Sequence, residues 1–523
     1  MADTLQELLN EHADRDTVAV KHADRTWTYR QYVAEAKRQA AALIAAADQS
    51  RPLHVGVLLG NTPDMLTALA AAALGGYVVC GINTTRRGEA LTRDIVKVDC
   101  QFLITDAEHR PLLDGLELPG VTVLDTSSAE WADLLAGAPA FVPHRKTAVD
   151  DTFMMIFTSG TSGDPKAVQV ANMMVLFAGN ALAERFELSG QDTCYLSMPM
   201  FHSNAVVSGW APALVAGAAM VPAKFSASGF LADIRRHGVT YMNYVGKPLA
   251  YVLATPEQSD DRDNPLRVAF GNEATDRDIE EFGRRFGVTV DDGFGSTENA
   301  VIITRTPDTP KGSIGQGFPG VAIYDSETVT ECPVAEFDEN GALLNADAAV
   351  GELVNTDGSG LFRGYYNDRD ATDERMRHGM YWSGDLAYRD ADGFIYLAGR
   401  TADWMRVDGE NLATAPIERI LLRLPAINRV AVYPVPDELV GDQVMAALVL
   451  QDGAELDAKT FEEFLAAQRD LSPKAWPRYV WIAEDLPSTA TNKILKRELI
   501  AHGATPDGRT LWRRDGSRFH PHT

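Results

Sequence analysis

Thr158-Ser159-Gly160-Thr161-Ser162-Gly163-Asp164-Pro165-Lys166 follows directly on the apolar run Phe153-Met154-Met155-Ile156-Phe157. The run predicts a buried strand, and the strand opens into a loop of two glycines, four hydroxyls and one lysine. Backbone N–H groups unobstructed by Cβ atoms can close around phosphate oxygens, so this loop has the chemistry of a nucleoside triphosphate site. It is not the ordinary P-loop, in which Gly-Lys is followed by a Ser or Thr for Mg²⁺. Here Pro165 precedes Lys166 and Ala167 follows it. Taken alone, the loop equally fits a Gly/Ser/Thr surface linker. Motifs further along the chain decide between the two.

Phe294-Gly295-Ser296-Thr297-Glu298 comes after Val288-Thr289-Val290, and Gly271-Asn272-Glu273-Ala274 after Val268-Ala269-Phe270. Trp382-Ser383-Gly384-Asp385 is continued by Gly399-Arg400-Thr401-Ala402-Asp403 and by Gly409-Glu410. Near the end stands Pro487-Ser488-Thr489-Ala490-Thr491-Asn492-Lys493. Each has a plainer reading: a strand-terminal turn, a structural Asp385–Arg400 salt bridge, a solvated lysine. Together, and in this order, they resemble the adenylate-forming superfamily of acyl-CoA synthetases, adenylation domains and luciferases. Met198-Pro199-Met200-Phe201-His202-Ser203-Asn204, Tyr244-Val245-Gly246-Lys247-Pro248-Leu249 and Gly409-Glu410-Asn411 are similar to the branch of fatty-acid-transport-protein-like and bacterial long-chain or steroid side-chain ligases.

The resemblance implies roles. Thr158, Ser159, Gly160, Thr161, Ser162, Gly163 and Lys166 would cradle the phosphates of ATP. Gly271, Asn272 and Glu273 would form one wall of an adenine slot, where only a glycine lets backbone lie flat on a base. Asp292, Gly293, Phe294, Gly295 and Ser296 would complete the slot, with the Phe294 ring stacking where the family usually has Tyr. Thr297 would meet phosphate, and Glu298, with Thr161, would hold Mg²⁺ through oxygen ligands. Asp385 can accept both ribose hydroxyls, and Arg400 can reach the same sugar or a phosphate. Lys493 would bridge substrate carboxylate and α-phosphate, with Asn492 in place of the common glycine. His202 would gate the acyl pocket, its plainer alternative being a histidine satisfied in the core. Ser203, Asn204, Val207, Gly246 and Gly293 would line that pocket. Gly409 would let the pantetheine arm of CoA pass. Ala402 stands where the family's hinge usually has Asp or Lys, which leaves the pivot unplaced.

Length and charge agree. A chain of 523 residues exceeds one ordinary core, so two or more domains are expected. A net charge of −25 argues against a nucleic-acid partner. Cys80, Cys100, Cys194 and Cys332 lack CxxC spacing and lie far apart, which suits a reducing compartment and argues against a zinc site or disulfide framework. The first eleven residues carry Asp3, Glu7 and Glu11 without an apolar core, so no secretory signal is expected and the cytoplasm is. Residues 65–85 and 205–223 are uncharged and approach membrane-spanning length, but Gly75-Gly76 splits the first, and Gly209, Pro212 and Gly217 cut the second. Both are expected to be buried helix–strand units, with no integral span.

Helical and strand-like segments alternate from Leu5 onward, implying parallel sheets with covering helices. Residues 310–400 have closely spaced turns and read as mostly antiparallel. Beyond Gly399-Arg400-Thr401 a hairpin, a helix starting near Pro416 and further strands form a small α+β unit. The expected fold is therefore a large α/β N-terminal domain with a β-rich subdomain, residues 1–399, and a small mobile α+β C-terminal domain, residues 400–523. The tail after Thr505 is Arg-rich and gives no pattern.

The expected reaction converts a long-chain fatty acid, or a bulky polycyclic steroid or terpenoid carboxylate, to its CoA thioester through acyl-AMP, using ATP, Mg²⁺ and CoA as co-substrate. The carboxylic acid is the partner, and a homodimer is compatible with the family. One alternative is transfer to a carrier-protein thiol, against which the lack of an attached carrier domain leans. Another, of a different class, is a lipid-binding or uptake protein with a disused nucleotide site.

Overall fold

Capping chemistry starts the first long helices. The Thr28 hydroxyl accepts from the Gln31 amide while the Gln31 side chain accepts from the Thr28 amide, a reciprocal box that opens the helix Tyr29–Ala46. Thr62 caps Pro63–Gly75, whose proline sits in the first turn and whose end is marked by Gly76 at φ 70°. That helix is buried almost all round beyond its first turn, which explains the lack of charge after Asp64 without a membrane. It feeds the strand Val78–Gly81, as the Gly75-Gly76 break predicts. The second uncharged stretch divides into a π-helical segment Ala205–Trp210, a helix Ala211–Ala216 and a strand Ala219–Pro222. Among the described residues no helix is long and apolar enough to cross a membrane. The computed structural model describes residues 2–522 apart from 159–164, 307, 340, 342, 401–403, 408–409, 438–440 and 489–493.

The chain divides into two compact units, Met1–Ala300 with Ser359–Arg375, and Val301–Gly358 with Met376–Thr523. The first is built on two parallel-rich sheets. One runs in the order Thr122–Asp125, Phe102–Thr105, His54–Leu58, Val78–Gly81, Thr152–Thr158 and Lys166–Ala171, parallel except for its last pair. The other runs Thr289–Asp292, Val268–Asn272, Tyr241–Val245, Thr193–Leu196, Ala219–Pro222, Val18–His22 and Arg25–Thr28, again parallel until its final hairpin. Helices such as Phe230–His237 and Asp276–Phe286 turn Phe230, Ile234, Phe282 and Phe286 into one core with Tyr195 and Met242 of the second sheet. Cys80, Cys100, Cys194 and Cys332 are all buried free thiols, in keeping with packing roles.

In the second unit the expected antiparallel region is present, with Met380–Arg389 and Phe394–Arg400 at the centre of its sheet. A separate sheet carries Trp404–Val407, Glu410–Ala413, Ile427–Asp437, Gly441–Leu450 and Tyr479–Ala483. Both of its faces are covered: Val430, Val432 and Phe461 pack on one side, and Ala431, Tyr433 and Leu499 on the other. The tail, patternless in the sequence, adds the antiparallel pair Thr510–Asp515 and Arg518–Pro521 to this sheet. Trp512 and Phe519 of that pair close the core around Phe461.

Candidate active site

The strands Thr152–Thr158 and Lys166–Ala171 pair antiparallel, with Thr158 opposite Lys166. The loop therefore joins two strands of one hairpin, whereas a P-loop leads into a helix N-terminus. Ser159, Gly160, Thr161, Ser162 and Gly163 lie outside the described residues. Lys166 is nearly buried: its side chain is 10% exposed, its Nζ is 3.4 Å from Glu374 Oε2, and it stands 5.4 Å above the ring of Tyr365. A carboxylate and an aromatic face together offset the loss of water around an ammonium.

Tyr365 and Glu374 come from Ser359–Arg375, a segment that leaves the second unit's sequence to pack on the first unit. The Tyr366 amide donates to Ala167 O at 2.8 Å, the Gln169 amide donates to Gly364 O at 3.2 Å, and Val168 bridges Tyr365. Lys97 holds Asp368 at 2.8 Å, Tyr366 donates to Asp99, and Arg363 pairs with Asp150. So fixed, Tyr365 is 4% exposed, and its hydroxyl donates to Glu298 Oε1 at 2.8 Å. Burial and the neighbouring Glu298 carboxylate push the phenol pKa well up, keeping it a donor. Sequence reasoning had singled out neither Tyr365 nor Glu374. The run Gly364-Tyr365-Tyr366-Asn367-Asp368 was the available signal.

The residues expected to wall the adenine slot meet at the ends of adjacent parallel strands. A Cβ on Gly271 would lie 2.3 Å from Tyr244 O, so the strand tolerates no side chain there. Glu273 follows at φ 67°, an unusual backbone for a residue with a side chain. The Gly293 amide donates to Gly271 O, Asn272 Nδ2 donates to Gly293 O at 2.5 Å, and the Ala274 amide donates to Asp292 Oδ2. Phe294 is half-buried and Gly295 exposed. Ser296 O accepts from the Asn299 amide, closing the turn that carries Thr297 and Glu298.

On the acyl side the His202 ring lies 4.5 Å from that of Phe201, and burial lowers its pKa to about 4, so it is neutral at pH 7. The Ser203 and Thr297 hydroxyls are 3.0 Å apart. Asn204 Nδ2 donates to Tyr244 O and to Asn272 Oδ1, both at 3.2 Å, and Asn204 Oδ1 accepts from Asn243 at 2.7 Å. The Gly246 amide donates to Asn272 O at 2.8 Å. Ser203, Asn204, Gly246 and Gly293 thus join the residues of the slot through Asn272 and Thr297. Val207 is buried in the π-helical segment, where Gly209 makes room for Asn243 Oδ1.

In the second unit Asp385 and Arg400 face each other across neighbouring antiparallel strands, and Arg400 Nε lies 2.8 Å from Asp385 Oδ1. The salt bridge weighed in the sequence is therefore formed. Gly409 and Lys493 lie outside the described residues. Flanking Lys493, Ser488 bridges Ile494 and the Leu495 amide donates to Pro487 O, while Lys496 is held by Glu418 at 2.9 Å.

Among the described residues no group of three His, Cys, Asp or Glu could hold a metal ion. A site shared between protein and nucleotide oxygens needs fewer protein ligands. Glu298 suits one: Oε1 is oriented by Tyr365, and among the described residues Oε2 has no hydrogen-bond partner.

Residues 7–366 match the model of the AMP-binding enzyme family, and residues 416–493 that of the AMP-binding enzyme C-terminal domain. The medium/long-chain-fatty-acid–CoA ligase FadD17 of Mycobacterium marinum is 52% identical over 96% of both chains. The steroid-22-oyl-CoA synthetase of Rhodococcus jostii is 43% identical over 95% of this chain and 90% of its own. The ATP-bound structure of MatB from Rhodopseudomonas palustris superposes with a TM-score of 0.83, covering 96% of this chain and 99% of that one, at 22% identity. That likeness concerns the fold alone.

Proposed function

This chain belongs to the AMP-binding enzyme family, within the adenylate-forming superfamily, and on that premise we propose that it is an acid–thiol ligase making acyl-CoA from ATP, CoA and a carboxylic acid. A carboxylate does not acylate a thiol at neutral pH, because oxide is too poor a leaving group. Attack of the carboxylate oxygen on the α-phosphorus of ATP forms acyl-AMP and expels pyrophosphate. The CoA thiolate then attacks the acyl carbon, forming the thioester and releasing AMP.

The first step gathers a carboxylate and a polyphosphate, so catalysis is chiefly electrostatic and positional. Lys166 and the loop amides bind phosphate, and Thr297 donates its hydroxyl there. Glu298 would hold Mg²⁺ together with nucleotide oxygens, and the ion would neutralise phosphate charge. Phe294 and the Gly271 wall take adenine, and Asp385 takes the ribose hydroxyls. Lys493 supplies the cation that brings carboxylate and α-phosphate together. A hinge near residue 400, inside the second unit, would let residues 400–523 exchange Lys493 for Gly409 between the two half-reactions. His202, neutral, borders the acyl chain and adds no charge.

The observation that carries this reading is the convergence of Lys166, Tyr365 and Glu298 beside the loop hairpin. The names of the relatives above support medium- to long-chain fatty acids and steroid side-chain carboxylates as the acids to try first. The half-buried, uncharged His202 suits apolar acids of either kind. A panel of such acids, scored by pyrophosphate release and by thioester mass with CoA, tests the proposal. Acid-dependent pyrophosphate release without CoA thioester would move the acceptor to a carrier-protein thiol. No pyrophosphate release with any acid would leave a lipid-binding protein.

A further inference from the structure

The Glu298 carboxylate and the Lys166 ammonium are the two charges of the first unit assigned above to metal and phosphate, and one side chain touches both. Tyr365 donates its hydroxyl to Glu298 Oε1 at 2.8 Å and presents its ring face to Lys166 Nζ at 5.4 Å. We propose that Tyr365 is a positioning residue that fixes the Glu298 carboxylate for a divalent cation and the Lys166 ammonium for the nucleotide phosphates. The proposal rests on the ligase reading and deepens it.

Three features support it. The phenol is held by backbone as well as by packing: its own amide donates to Thr372 Oγ1 at 2.9 Å, Val168 bridges it, and Phe362 packs edge-on at 5.1 Å. Its hydroxyl therefore has little freedom to follow Glu298, so Glu298 must conform to it. Next, a phenol proton on one carboxylate oxygen fixes the plane of the group and leaves the other oxygen to face a cation, the usual arrangement behind a metal-binding carboxylate. Finally, a tyrosine kept for packing alone would bury its hydroxyl at a cost that phenylalanine avoids. The segment Ser359–Arg375 thus delivers a part of the reaction centre as well as a brace for Lys166.

The test is a double-mutant cycle read by binding. Mn²⁺ is titrated in the presence of ATP by electron paramagnetic resonance for the parent protein, Tyr365→Phe, Glu298→Gln and the double variant. Tyr365→Phe keeps the ring under Lys166, so AMP affinity without metal and the thermal midpoint are expected to match the parent's. Its Mn²⁺ affinity is expected to fall about 10-fold, the lower end for loss of a partner behind a metal ligand. In the Glu298→Gln background the same change is expected to cost less than about twofold, because the pair is already broken. Tyr365→Leu, which removes the ring as well, is expected to weaken metal-free ATP binding in addition. Mn²⁺ affinity in Tyr365→Phe within twofold of the parent's, or an equal loss in both backgrounds, overturns the proposal. So does a parallel loss of metal-free AMP binding and thermal stability in Tyr365→Phe, which would make the role structural. A parent protein that binds AMP while the cycle is flat overturns this proposal alone; a parent that binds no AMP overturns the ligase reading with it.

Discussion

A Cβ placed on Gly271 would stand 2.3 Å from the carbonyl oxygen of Tyr244, on the neighbouring parallel strand. Little there can yield, since the Tyr244 carbonyl and the Gly271 Cα that would carry the Cβ are both held in paired sheet backbone. Gly271→Ala is expected to destabilise the first unit by about 1–3 kcal/mol, the usual cost of overpacking, and to weaken AMP binding with it. Urea denaturation and AMP titration check the pair of effects. A variant as stable as the parent would show that the strands part more readily than their register suggests.

Lys493→Ala is expected to depress acid-dependent pyrophosphate exchange by two orders of magnitude or so, a typical loss when one charge-stabilising donor is removed. Thioester formation from supplied acyl-AMP should survive. Gly409→Leu is expected to do the reverse, sparing exchange and blocking CoA. Equal losses in both half-reactions for either variant would remove the assigned role.

Asp385 and Arg400 form an ion pair that is partly open to water, with side chains 11% and 35% exposed. If the pair were purely structural, Asp385→Asn would cost on the order of 1 kcal/mol in stability and leave nucleotide affinity alone. With Asp385 on the ribose, AMP affinity is expected to fall about 10-fold, as for loss of a charged hydrogen bond. Calorimetric titration with AMP and with 2′-deoxy-AMP separates the two, because the variant should no longer distinguish them.

Burial holds the pKa of His202 near 4, against an ordinary value of 6.5, and burial also lowers those of His12 and His54. Below pH 6.5 the unfolded chain takes up protons at these sites while the folded chain does not. Stability present above pH 6.5 is therefore lost as pH falls towards 4, with at most roughly 3 kcal/mol from His202. Urea midpoints measured across that window should fall for the parent protein and fall less for His202→Gln. A parent midpoint that is flat from pH 6.5 to 4 would contradict the burial of these rings as charged-state penalties.

Trp512 and Phe519, on the final hairpin, enclose Phe461 at ring distances of 6.3 and 5.5 Å. Trp512→Ala is expected to cost about 3–5 kcal/mol, as for other large core aromatics. Removing residues 506–523 should unfold the sheet they complete. Tryptophan fluorescence during denaturation and limited proteolysis beyond residue 404 report the loss, and a protease-resistant truncation would refute it.

That hairpin also shows where sequence reading fails. Leu511 packs into the layer of Ala431 and Tyr433, while its neighbour Trp512 packs into the layer of Val432 and Phe461. A strand covered on both faces has no alternation to display, and two arginines next to it suggest solvent. By contrast, the Gly75-Gly76 break and the buried strand leading into the glycine-rich loop were legible because their causes lie within a few residues, whereas the return strand Lys166–Ala171 that pairs with it was not. The candidate site was legible as a set of motifs but not as an arrangement. Asn204 and Asn272 belong to separate motifs and Asn243 to none until the fold ties them together, and nothing near Tyr365 in the sequence points to Glu298 or Lys166.

The segment Ser359–Arg375 also bears on how the molecule is made. Gln169 and Arg363, joined by a hydrogen bond, are 194 positions apart in the chain. During synthesis the strands around Val168 emerge long before the stretch that seals them, so a nascent first unit leaves the ribosome with that flank open and apolar groups such as Ala167 and Val168 uncovered. Translation must pass Arg375 before this unit can reach its final stability. The wait exposes it to chaperones and to aggregation, and slow codons or truncations between residues 300 and 375 should be especially harmful to yield.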